Sequence, residues 1–96
     1  MENEQLIPIN KICVHYEIDL AFIDELRDSG LISLMTIDDT QFVEENQVAD
    51  LERMIHLRYD LDVNVAGIDV ISNLLQRLTV MQEEIIMLRN QLKRFS

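Results

Sequence analysis

Bases are scarce in this chain, and so are the residues that punctuate or cross-link a fold. Eight Lys and Arg face eighteen Asp and Glu, giving a formal net charge of −10 and a pI of about 4.4, so the surface repels phosphate backbones and anionic headgroups. A charged partner should therefore be basic. The single cysteine excludes an internal disulfide and any CxxC metal site, and it suits a reducing cytoplasm. Two glycines leave no Gly-rich phosphate loop. One proline, no tryptophan and 48% hydrophobic residues make a helix-rich, loop-poor composition that is not a disordered one. No apolar run approaches the roughly 20 residues of a membrane span. The start Met1-Glu2-Asn3-Glu4 is the reverse of a basic signal-peptide opening. A soluble, cytoplasmic protein with no membrane partner is expected. At 96 residues there is room for one domain, or a small domain plus one extended element, and none for a large enzyme with a deep cleft.

What charge there is sits unevenly. Residues 1 to 60 hold fourteen acids and four bases, whereas residues 61 to 96 hold four of each. Along the first part, Ile9, Ile12, Cys13 and Tyr16 recur at helical spacing behind Pro8, which is tolerated at a helix start. Asp19 is a good N-cap for a second helix over about 20 to 29, with Phe22, Ile23 and Leu26 on its buried face and Gly30 ending it in a left-handed turn. Leu31 to Ile37 loses helical spacing, Asp38-Asp39 supply turn chemistry, and Gln41-Phe42-Val43 can return as the second strand of a small hairpin. A third helix is expected with Glu44 and Glu45 in its first turn, an apolar face of Val48, Leu51, Met54, Ile55 and Leu61, and its end near Asp60. Asn64 can then cap a last helix.

That last helix carries a seven-residue repeat. One position reads Ile71, Leu78, Ile85, Leu92, and the other Leu74, Met81, Leu88, Phe95, which is the seam of a coiled coil. Residues 71 to 95 would extend roughly 37 Å at 1.5 Å per residue, longer than the N-terminal part is wide. A second copy of the chain is the economical cover, and these eight residues are the expected dimer interface. Glu84 and Arg89 hold g and e positions that would pair across a parallel coil.

Helix, tight turn, helix and hairpin make a winged helix-turn-helix arrangement. Its turn usually places Gly four residues after a small residue; here Cys13 is followed by Glu17, Ile18 and Asp19, so Glu17 must either accept positive φ at a cost of order 1 kcal/mol or distort the turn. Charge argues against nucleic acid as the target. The would-be recognition helix has Asp19, Asp24, Glu25 and Asp28 against Arg27 alone, and the wing tip is Asp38-Asp39, where phosphate contacts need bases. His15 and His56 have no second His or Cys at i+3 or i+4, so no metal site is expected; Glu52 lies one turn before His56 and can pair with it. Cys13 has no adjacent base and reads as an inert packed thiol. No constellation suits catalysis or a cofactor, and a non-catalytic protein is expected.

The string Leu57-Arg58-Tyr59-Asp60-Leu61-Asp62-Val63-Asn64-Val65-Ala66-Gly67-Ile68-Asp69-Val70-Ile71, followed by Leu74-Leu75-Gln76-Arg77, resembles the centre of the CbpM-type chaperone modulators, small relatives of MerR-like regulators. The resemblance extends to Ile12-Cys13 and to Ser29-Gly30-Leu31-Ile32, and so to nearly the whole chain. It implies a mainly α, MerR-like winged helix-turn-helix fold with a small β-hairpin and a long C-terminal coiled-coil helix. It also implies binding to the J-domain of a DnaJ- or CbpA-like cochaperone, inhibiting its stimulation of a DnaK-type Hsp70. The residues themselves have structural roles as well: Arg58 pairs with Asp62, Asn64 caps, and Gly67 lets the helix start pack closely on helix three. The expected organisation is a MerR-like domain, residues 1–63, and a dimerisation helix, residues 64–96. The expected docking surface is Asp24, Glu25 and Asp28, with Glu17 and the Asp38-Asp39 tip. Two other readings are a DNA-binding transcriptional regulator of the MerR-like class and a purely structural oligomerisation module.

Overall fold

The computed structural model describes residues 5–95; the acidic start Met1-Glu2-Asn3-Glu4 lies outside them. Its extents are 58 × 38 × 21 Å. In chain order come β1 (Leu6–Pro8), α1 (Ile9–Tyr16), α2 (Leu20–Asp28), β2 (Met35–Ile37), β3 (Thr40–Glu44), a 3₁₀ turn (Glu45–Gln47), α3 (Val48–Tyr59) and α4 (Val65–Arg94). The fold is mainly helical, with a small antiparallel sheet and a long C-terminal helix, as the sequence implies.

Helix α1 spans the residues its spacing marks, although Pro8 sits one place earlier than a first helical residue. It is the N-cap in extended conformation, φ −60°, and also the last residue of β1. That strand is missing from the sequence reading. The sheet order is β1-β3-β2, with Leu6 opposite Glu44 and Pro8 opposite Phe42, so the hairpin is the larger part of a three-stranded sheet. Proline is acceptable in β1 because the strand is an edge. Between β2 and β3 the two-residue turn Asp38-Asp39 has φ of 50° and 65°, the pair of left-handed residues that a tight hairpin needs for the strands to keep their twist.

Helix α2 ends as expected. Gly30 has φ 77°, the amide of Leu31 donates to the carbonyl of Leu26 at 2.9 Å, and that of Gly30 to Arg27 at 3.0 Å, a Schellman closure. Helix α3 starts later than the sequence suggests. Glu44 stays in β3 because Leu6 pairs with it, Glu45 stands in the 3₁₀ turn with its amide on the carbonyl of Gln5, and the acid in the first turn of α3 is Asp50. Leu61 is not on the apolar face: it lies beyond the end of α3 and is 67% exposed. The side chain of Gln47 clamps the loop before β2, accepting from the Ser33 amide and donating to its carbonyl at 3.1 and 3.2 Å.

Asn64 caps α4 through its side-chain oxygen, which accepts from the Gly67 amide at 2.8 Å. Gly67 serves the cap loop and not helix three, because a Cβ there would stand 2.7 Å from Val63 Cγ1 and 3.3 Å from Asn64 Oδ1. The Arg58 and Asp62 side chains pair at 3.5 Å across one turn. One core unites these elements: Ile9 and Ile12 of α1, Phe22, Ile23 and Leu26 of α2, Val43 of β3, and Leu51, Met54 and Ile55 of α3, joined by Ile18, Ile32 and the first buried residue of α4, Ile68. Beyond Leu75 every described residue of α4 is exposed.

Candidate functional site

The helix-turn-helix turn keeps its geometry without glycine. Glu17 takes φ 56° and ψ 52°, and the Ile18 amide donates to the carbonyl of Cys13 at 3.0 Å, so the turn is undistorted and the backbone bears the cost. Asp19 occupies the N-cap of α2, yet its carboxylate makes no cap hydrogen bond. Its amide donates instead to the Tyr59 hydroxyl at 3.2 Å, and the Tyr59 ring meets Phe22 edge-on at 5.6 Å. A second clasp joins α1 to α3: Tyr16 donates its hydroxyl to Glu52 at 2.6 Å. That bond, then burial, then the Glu52 charge raise the Tyr16 phenol above its usual value. Glu52 is therefore not the partner of His56, which pairs with Asp60 one turn further on.

The acids singled out from the sequence differ in their partners. Asp24 and Asp28 straddle Arg27, at 3.3 and 3.2 Å from its guanidinium, so two of the three α2 carboxylates are partly compensated within the helix. No ion pair among the described residues involves Glu17, Asp19, Glu25, Asp38 or Asp39. The hairpin tip stands near the start of α2, because Asp39 and Leu20 border one groove of about 630 Å³ together with Cys13 and Val14. Cys13 is half-buried and not sealed in the core. Burial first, and then the charges of Asp19 and Asp24, push its thiol pKa up, which disfavours the thiolate. Val14, 78% exposed, and Leu20, 51% exposed, are the site residues that sequence reasoning missed. The available signal was an aliphatic residue off the apolar face of α1.

The eight seam residues lie along one side of α4. Ile71 is half-buried against the head, whereas Leu74, Leu78, Met81, Ile85 and Leu88 are 49–58% exposed, and Leu92 and Phe95 70% and 88%. Leu78 also borders a groove of about 680 Å³ between Gly30-Leu31, Met54 and Leu75. No group of three or more His, Cys, Asp and Glu among the described residues is placed to hold a metal ion, and no described helix is long and apolar enough to cross a membrane.

With this geometry, the family model for MerR HTH family regulatory proteins matches residues 7–90. The chain belongs to the MerR helix-turn-helix regulatory family. No curated protein and no solved structure matches it. The MerR match covers most of strand β1, the helix-turn-helix, the hairpin and most of α4, so the long helix belongs to the family pattern as much as the head does.

Proposed function

We propose that this MerR-family chain acts on protein and not on DNA: as a homodimer it docks on the J-domain of a DnaJ- or CbpA-like cochaperone and denies that domain to its DnaK-type Hsp70. The observation that carries the reading is the charge of the face that would meet DNA. From Glu17 to Gln47, which covers the turn, α2 and the hairpin, there are nine acids and one base. That base, Arg27, is held by Asp24 and Asp28. A duplex carries one phosphate charge per roughly 1.7 Å and is bound by neutralising it, so this face opposes the approach. It suits a basic protein surface, as the resemblance to CbpM-type modulators implies. The homodimer is supported by the exposed Leu74, Leu78, Met81, Ile85 and Leu88, since burying such side chains is worth about 1.5–3 kcal/mol each.

Calorimetry with a purified J-domain tests the reading. Binding is expected, weakened at least about tenfold in the Asp24→Lys, Glu25→Lys, Asp28→Lys triple variant, because charge-paired contacts at an interface are worth from under 1 to more than 2 kcal/mol each. The second reading, a DNA-binding regulator, is favoured by the family match. On the proposal, affinity for random duplex at about 0.15 M salt is weaker than the usual non-specific range of roughly 10⁻⁴ to 10⁻⁶ M. Tight, salt-sensitive binding in a mobility shift gives the function to the second reading.

A further inference from the structure

We infer that the groove between α1 and the hairpin seats an amphipathic helix of the partner, its apolar stripe against Val14 and Leu20 and its basic flanks against Asp39 on one side and Asp19 on the other. This rests on the protein-binding reading above and deepens it. Ile9, 3% exposed, and the half-buried Cys13 form the floor, and Val14 and Leu20 stand at the rim. Nothing in the fold accounts for Val14. Its neighbours Ile9 and Ile12 serve the core, whereas Val14 is 78% exposed on a helix, where a β-branched residue is a poor former. An exposed aliphatic pair beside an open groove suits the face of a macromolecule.

The charge around the groove selects the occupant. Asp39 lines it from the hairpin, and the fields of Asp19 and Asp24 reach Cys13 from α2. Asp24 is shared with Arg27, whereas Asp39, which lines the groove, and Asp19, next in sequence to the lining residue Leu20, have no ion pair among the described residues. Phosphate-bearing ligands and anionic membranes are repelled from such a site. A helix laid in a groove presents apolar anchors three and four residues apart, with flanking positions left for charge; Lys and Arg on those flanks complement both rims.

The chain's one cysteine is a built-in reporter, because iodoacetamide labels only Cys13. When calorimetry shows a J-domain bound, saturation is expected to slow labelling at least tenfold, and Val14→Ser with Leu20→Ser to weaken binding at least tenfold. Both side chains are exposed, and circular dichroism verifies that the double variant folds. A J-domain that binds while Cys13 labels at its free rate and the double variant binds like wild type overturns the inference and leaves the protein-binding reading standing. When no J-domain binds, a synthetic Leu/Lys amphipathic peptide decides: protection of Cys13 by the peptide sustains the groove and fails the J-domain, and free labelling overturns both. A lower sedimentation mass for the double variant overturns the inference differently, by making the groove a contact between copies.

Discussion

The described residues bury twelve hydrophobic side chains, all at or before Ile68, while every described residue after Leu75 is exposed. Both parts are rich in Leu, Ile and Val. In the head those residues come from four helices and a sheet that wrap one another, so each apolar face finds a complement a short distance away. In the outer part of α4 they run along one side of a single helix, and a single helix cannot bury its own stripe. Similar composition therefore has opposite outcomes: self-sufficiency in one region, and dependence on a second surface in the other.

The comparison breaks most sharply in the head. Leu26, fully buried between α2 and its neighbours, should lose about 2–5 kcal/mol on Leu26→Ala, the range for emptying a packed core site. Urea denaturation measures it, and a loss below about 1 kcal/mol would contradict a tight core. The tail comes next. Leu78→Glu sets a charge in the middle of the proposed seam, where each copy buries an apolar side chain worth about 1.5–3 kcal/mol, and should yield monomer in sedimentation at micromolar concentration with an unchanged head. A wild type already monomeric there removes the homodimer. At the junction, Asn64→Ala deletes the cap of α4 and should cost about 1 kcal/mol, read as a lower melting temperature.

The smallest effect is in the head's surface clasp. Tyr16→Phe removes the bond to Glu52 and should cost roughly 0.5–1 kcal/mol, since the pair is exposed and partly replaced by water. The phenol pKa is raised above its usual value of about 10 in the folded chain, so its contribution is fully present below that value and is lost as pH rises through the raised one. Wild-type stability should therefore fall more steeply than that of Tyr16→Phe in alkaline urea titrations. Parallel curves would show that the clasp is not coupled to folding.

The readability of the sequence follows the same division between local and distant causes. Helix α1, the Schellman end at Gly30, the Asp38-Asp39 turn and the Asn64 cap each depend on a few adjacent residues, and all were visible. Strand β1 was not, because Leu6-Ile7-Pro8 is extended only by pairing with β3, thirty-four to thirty-eight residues away in the register of Leu6 with Glu44 and Pro8 with Phe42; by itself Pro8 reads as a helix start. The displaced start of α3 has the same origin. At the candidate site the acidic residue types were legible, but the clamp of Arg27 on Asp24 and Asp28 and the meeting of Asp39 with Leu20 were not. Those depend on rotamers and on how the hairpin is laid over α1. Nor were the pairing of His56 with Asp60 and the engagement of Glu52 by Tyr16 from another helix legible.

Ile68 is fully buried in the head although it belongs to α4, and this bears on the order of events at the ribosome. The first core residue, Ile9, and the last, Ile68, are fifty-nine positions apart in the sequence, so at 5–20 residues per second the nascent head waits about 3–12 s for its final piece. All eight residues of the seam are translated after that piece. On the homodimer proposal, the last core residue of the head therefore precedes the seam in the order of synthesis, and the interior needs nothing made beyond the start of α4. Limited proteolysis of stalled nascent chains checks this order: protection should appear once Ile68 has cleared the exit tunnel, and protection already present without it would reverse the sequence of steps.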